Sequence, residues 1–311
     1  MAFSATDAAL EGFRIGRHQP KVMLFWALAS LIISLVSSAL IVALFGDSMS
    51  QLIAASNTPA TDPAEVAALF GQMAGMYAVL LPFVLLIFSI FTGAVYRAVL
   101  RPTESGMAYL RLGATELRLA VVLVALWALS IVLTFALALC IGVIAAVIAM
   151  AAGGGGAGAG IATALIVLVL YLVMIAGLLA FWVKFSFAAP MTFAEGRIRI
   201  FQSWKATKGH FWPLLGAYVL AGILGIMVSF LGSAISFAFM MALSGASAGS
   251  LDAMFQMLQA DYTSLQSFFT APMIANLVVT SFFSALTYAI FLAPPAVAYR
   301  DIVGDKGAAR S

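Results

Sequence analysis

Charge is scarce here: Asp, Glu, Lys and Arg make up 9% of 311 residues, against ~25% in ordinary soluble domains. That shortage, with 64% hydrophobic residues, excludes a soluble globular class. Cysteine is limited to Cys140, so neither an intrachain disulfide nor a multi-cysteine metal site can be built. Only two histidines occur, His18 and His210. Neither has a second histidine at ligand spacing, which leaves no local metal motif. Nucleophile elbow, P-loop and dinucleotide fingerprints are all missing. No cofactor, no metal and no catalytic residue is expected. Glu116 and His210 are the only acid–base pair worth testing for an enzyme.

Lysine and arginine are absent from whole stretches of the chain. Six apolar runs, at about 22–45, 75–96, 119–151, 161–183, 213–244 and 271–295, are each long enough to span a hydrocarbon core of ~20 helical residues. Connections 46–74, 152–160 and 245–270 hold no Lys or Arg, only Asp47, Asp62, Glu65, Asp252 and Asp261. All 15 basic residues lie in the tails, at span ends, or in the loops at 97–118 and 184–210. Basic loops stay cytoplasmic, so both termini are expected inside. No cleaved signal peptide is expected, because the first apolar run exceeds the ~7–15 residues of an h-region. The spans themselves hold no acid, and proton- or sodium-coupled transport lacks its usual groups. Lys184 closes the fourth span, where its ammonium can snorkel to the surface.

What is present repeats weakly. Leu10–Arg17, Met107–Ala114 and Phe201–Lys208 each set a bulky apolar residue directly before a base, at Phe13-Arg14, Leu110-Arg111 and Trp204-Lys205. Each precedes an odd-numbered span, which suggests units of about 1–100, 101–195 and 196–311 within a single polytopic domain, 1–311. The expected fold is an all-α integral membrane protein: six transmembrane helices as three hairpins, with amphipathic interfacial helices on the cytoplasmic side. In the second unit, Met107, Leu110, Ala114 and Leu117 are expected on one helical face after a start at Pro102-Thr103-Glu104. On the outer side, Val66, Leu69, Phe70 and Met73, and again Leu251, Met254, Phe255 and Leu258, keep the spacing of short surface helices. Gly153–Gly156 would break the chain between the third and fourth spans.

Arg111, Arg118, Arg197, Arg199, Lys205 and Lys208 are the candidates for lipid headgroups, since bases near an anionic surface gain ~1 kcal/mol each. Phe201 and Trp204 would anchor the third interfacial segment. Inside the spans, small and polar residues form stripes: Ser30, Ser34 and Ser37; Gly222, Gly225, Ser229, Gly232 and Ser236; Asn276, Thr280, Ser284 and Thr287. Such stripes favour close helix packing; the alternative is a polar path for a solute. Pro82 is expected to kink the second span.

Phe185-Ser186-Phe187-Ala188-Ala189-Pro190, followed by Phe201-Gln202-Ser203-Trp204-Lys205-Ala206-Thr207-Lys208-Gly209-His210-Phe211-Trp212, resembles a bacterial pattern. It is similar to the six-span membrane domain fused to some bacterial glycerophosphodiester phosphodiesterases, and to its stand-alone relatives of unknown function. The resemblance covers most of the chain and implies a multi-pass protein of the bacterial cytoplasmic (inner) membrane. It brings no catalysis, because these residues hold no phosphodiesterase barrel with acidic metal ligands. The expected role is therefore non-enzymatic: engagement of anionic lipid, or of a membrane protein partner or second copy, at the inner surface, without nucleic acid. The alternative is a transporter or channel for a small neutral or amphiphilic solute.

Overall fold

The structure is a computed structural model that describes residues 3–57, 63–151, 157–244 and 261–304. Its elements are α1 (Ala5–His18), α2 (Pro20–Asn57), α3 (Pro63–Leu100), α4 (Ala114–Ala151), α5 (Ala157–Phe185), α6 (Ala188–Glu195), α7 (Gln202–Ala206), α8 (Phe211–Ser244), α9 (Leu265–Phe268) and α10 (Ala271–Tyr299). A 3-10 turn spans Gly106–Tyr109, and a π turn, Arg300–Gly304, follows α10. No strand occurs among the described residues. Six helices, α2, α3, α4, α5, α8 and α10, are long and apolar enough to cross a membrane. The chain is an all-α, six-span membrane protein.

Span composition follows surroundings. In the richest stretches of α4 and α5, mean hydropathy reaches 3.0 and 2.9 while almost nothing is buried in protein. The sixth span, α10, is the least apolar at 1.8 and the most buried. A helix facing lipid must be apolar all round, whereas one packed among helices can carry polar groups that neighbours satisfy.

The helices overrun the apolar segments that define them. At 38 residues and 1.5 Å per residue, α2, α3 and α4 are about 57 Å long, well past a hydrocarbon core of about 30 Å. This corrects the expected outer surface helix at 66–73. Val66, Leu69, Phe70 and Met73 belong to α3 itself, which runs unbroken from Pro63 through Pro82. Gln72 of that extension donates from Nε2 to Gln51 Oε1 of α2 at 2.9 Å. Residues 152–156 and 251–258 lie outside the described residues, and with them the glycine break and the second outer helix.

The chain divides into two compact units: Met1–Ala5 with Leu112–Gly216 and Pro295–Ser311, and Thr6–Arg111 with Ala217–Pro294. In the first, α4 packs along α5 and against α6, and α7 sits on α5 and α6. Gly196, left-handed at φ 65°, ends α6 by donating its N–H to the Thr192 carbonyl.

In the second unit α1 turns Ala8, Ala9, Gly12 and Ile15 inward. Ala9 clusters with Ala221 of α8 and Ile290 of α10. Gly12 touches backbone directly: a Cβ there would sit 2.6 Å from Ile290 Cα and N. The small face of α1 thus closes on protein. Gly12→Ala should force the two backbones apart and cost about 1–3 kcal/mol as overpacking, read as a fall of several degrees in the thermal midpoint in detergent.

The connection after α3 corrects a second expectation. Met107, Leu110, Ala114 and Leu117 do not share a helix. Residues 102–113 form turns, and Met107, Ala108 and Tyr109 carry φ of 52°, 53° and 65°. Three consecutive non-glycine residues in the left-handed region are costly. Two buried donors hold them: Trp26 Nε1 of α2 donates to the Ala108 carbonyl at 2.7 Å, and Arg97 Nη1 of α3 to the Tyr109 carbonyl at 2.9 Å. Tyr109 itself donates from its hydroxyl to the Pro102 carbonyl at 3.1 Å. Met107 faces outward, 83% exposed. Opposite effects are therefore expected at the two ends of this clamp. Trp26→Phe, leaving a buried carbonyl short of its donor, should destabilise by about 1–3 kcal/mol. Met107→Gly should stabilise by up to about 1 kcal/mol, because glycine meets no steric penalty at φ 52°. Denaturant titration of the two variants separates these signs.

Candidate functional sites

A basic and aromatic platform is built at residues 184–212, within the first unit. Its foundation is the end of α5, whose last carbonyls have no intrahelical donor. Ser203 and Thr207, four residues apart on one face, supply it. Ser203 Oγ donates to the Lys184 carbonyl at 2.8 Å and Thr207 Oγ1 does so at 3.3 Å. Ser203 Oγ also accepts from the Phe187 N–H at 3.1 Å. Both side chains are fully buried, and through them the single turn of α7 is fixed to α5. The Lys184 ammonium lies 5.7 Å from the Trp204 ring centroid and 5.8 Å from that of Phe211. It is thus held by cation–π attraction as well as by reach.

The exposed side chains of this platform are both aromatic and basic. Phe201, Trp204 and Trp212 are 68%, 53% and 76% exposed, and Arg197, Lys205 and Lys208 are exposed beside them in sequence. Arg199 is partly neutralised: its Nε lies 2.9 Å from Glu195 Oε2, and its backbone N–H donates to Thr192 Oγ1. Arg118, half-buried on α4, lies near Gly196. Arg111 belongs to the second unit and contacts Glu104 at 3.5 Å. The six headgroup candidates therefore fall into three free or nearly free bases in one loop, one paired arginine, and two set elsewhere. His210 Nδ1 lies 3.2 Å from the Lys208 carbonyl, and Glu116 is buried in the first turn of α4. Among the described residues, no group of three His, Cys, Asp or Glu side chains could hold a metal ion.

The second locus lies wholly in the second unit, midway along α8 and α10, where two of the sequence stripes meet. Phe291 covers Gly225, and Phe283 covers Gly232: a methyl at either glycine would lie within 2.6 Å of the ring. Ser236 donates to Asn276 Oδ1. Between these contacts a cavity of about 330 Å³ is lined by Ser229, Gly232, Ser233, Thr280, Phe283, Ser284, Thr287 and Tyr288. Ser233 and Thr280 spend their protons on carbonyls of their own helices, at 3.0 and 2.6 Å. The hydroxyls of Ser229, Ser284, Thr287 and Tyr288 make no hydrogen bond within the described residues. The Tyr288 ring is stacked on Phe91 of α3, centroids 4.7 Å apart, which fixes the phenol.

The serine stripe of α2 does not join this lining. Ser30 is buried, and its hydroxyl has no partner among the described residues; Ser34 is half-buried. Sequence reasoning missed the anchoring pair Ser203 and Thr207, although their spacing of four beside a span end was a readable signal. It also missed Tyr288, although that residue continues the four-residue spacing of Asn276, Thr280 and Ser284.

No family model, curated protein or solved structure matches this chain.

Ser203→Ala would remove the bond to the Lys184 carbonyl and strip the buried Phe187 N–H of its acceptor. A loss of about 1–3 kcal/mol is expected. Faster amide hydrogen exchange confined to residues 184–210 would register it.

Proposed function

We propose that this chain is a non-enzymatic multi-pass membrane protein whose 196–212 connection engages anionic lipid headgroups at the inner surface of a bacterial cytoplasmic membrane, with both termini inside. The supporting observation is one short connection in which Phe201, Trp204 and Trp212 and the bases Arg197, Lys205 and Lys208 are all exposed. Aromatic rings with an apolar body and polar tip settle at headgroup depth, and neighbouring bases gain from anionic phosphate. The sorting of all 15 bases to one set of connections supports the same side for the loop and the tails. The short interfacial helix in this scheme is α7, and its anchoring by Ser203 keeps the platform at a fixed depth. A protein partner that presents acidic groups would use the same connection.

A second reading is passage of a small neutral or amphiphilic solute. Its support is the hydroxyl-lined cavity between α8 and α10. Gly225 covered by Phe291 at one end and the Ser236–Asn276 bond at the other favour a chamber over a continuous path.

Headgroup engagement predicts a graded response to charge removal. With three bases worth up to ~1 kcal/mol each, Arg197→Gln/Lys205→Gln/Lys208→Gln should lower preference for spin-labelled phosphatidylglycerol over phosphatidylcholine at least fivefold in reconstituted vesicles. Arg199→Gln should change it less, since Glu195 already pairs that guanidinium. Equal lipid preference in the triple variant and the parent would end this reading. A cysteine at Lys208, in a chain lacking Cys140, should resist a membrane-impermeant thiol reagent added outside intact cells.

A further inference from the structure

The cavity between α8 and α10 has a composition that selects its occupant. It sits at the middle of two apolar spans, where a hydroxyl without a partner is costly because lipid offers none. Four hydroxyls there, those of Ser229, Ser284, Thr287 and Tyr288, are uncommitted among the described residues. Two more, on Ser233 and Thr280, have used their protons and offer only lone pairs. The lining thus presents donors and acceptors together. It contains no Asp, Glu, Lys, Arg or His, so an ionic occupant would be an uncompensated charge in a low-dielectric site. A neutral group that both donates and accepts several hydrogen bonds is what remains.

Size and shape narrow this further. A volume of about 330 Å³ is the room of roughly eleven waters at about 30 Å³ each, and stands at the low end of small-molecule sites. A single sugar ring fits it. Phe283 and Tyr288 give the lining aromatic surface for the apolar face of such a ring. Ser229 and Ser233 are exposed, so the chamber opens along the side of α8, toward whatever surrounds the spans.

We propose that this cavity binds a neutral polyhydroxyl group of monosaccharide size, carried either on a lipid that enters sideways or by a free sugar. The proposal rests on neither the headgroup platform nor passage across the membrane, since binding requires neither.

The test uses the full chain in nanodiscs with a monoglucosyl lipid carrying a diazirine on its glucose ring, and peptide mapping of the adducts. Labelling should concentrate within 229–233 and 280–288. Competition by unlabelled monoglucosyl lipid, but not by millimolar glucose, assigns the lipid-borne source; competition by glucose assigns the free sugar. The near-isosteric Thr280→Val/Ser284→Ala/Thr287→Val/Tyr288→Phe variant should lose labelling at least tenfold while remaining monodisperse and helical. Should that variant misfold, Ser229→Leu, at the exposed rim, should narrow the opening and cut labelling by a similar factor. Labelling that is spread evenly over the spans, or equals that of a diazirine phosphatidylcholine, or persists in the variant stripped of the four α10 hydroxyls, overturns the proposal: the chamber would then hold water only.

Discussion

A backbone carbonyl at the end of a span has lost its helical donor and sits where water is thin, so something in the chain must supply one. The same need for a donor, at a span end in one case and inside a buried turn in the other, shapes both of the basic connections. After α5, Ser203 and Thr207 reach back to the Lys184 carbonyl. After α3, the connection curls into a left-handed turn whose carbonyls are met by Trp26 and Arg97. Neither connection is a loose loop. Each is tied to its span by side chain-to-backbone bonds that a polar solvent would have made unnecessary, and the surface each presents is fixed in consequence. The platform at 196–212 can hold exposed tryptophans beside lysines only because the buried face of α7 is already committed.

Hydropathy made the six spans legible, but it placed their ends poorly. It senses the change from lipid to water, whereas a helix ends where its hydrogen-bond ladder ends. In α2 and α3 the ladder continues well past the apolar stretch, and a segment such as Val66–Met73, with perfect helical spacing, is an extension and not a separate element. The same spacing misled at Met107, Leu110 and Ala114. Helical periodicity there is accidental, and the left-handed turn gave no warning because none of Met107, Ala108 and Tyr109 is a glycine or asparagine. Turns of that kind are written in the residues that clamp them, here 82 positions away at Trp26, and local pattern cannot show them. The three segments compared as repeats accordingly have three local structures: a fourteen-residue helix in α1, a left-handed turn, and the single turn of α7.

Small residues illustrate the reverse case, where local pattern was informative about contact. The stripes of α8 and α10 do meet, and Gly225 and Gly232 admit phenylalanine rings that any side chain would exclude. Gly12 shows the same principle outside the six spans, because α1 approaches α10 backbone to backbone. The serines of α2 share the stripe pattern without joining the lining. Periodicity identifies a face but not its neighbour, and only the fold decides which two faces meet.

Whether a polar stripe is glue or a site depends on what its hydroxyls do with their protons. A serine or threonine that donates to its own helix four residues back is chemically quiet as a donor, and costs little in lipid. Thr280 and Ser233 behave in that way. If the seam served packing alone, the remaining hydroxyls would be expected to do the same, or to bond across the seam as Ser236 does with Asn276. Among the described residues, Ser284, Thr287 and Tyr288 do neither, and they surround a space instead of closing it. Packing accounts for the two ends of this seam, at Gly225 and Ser236. It gives no reason for the centre, where polarity is retained at the depth that penalises it most.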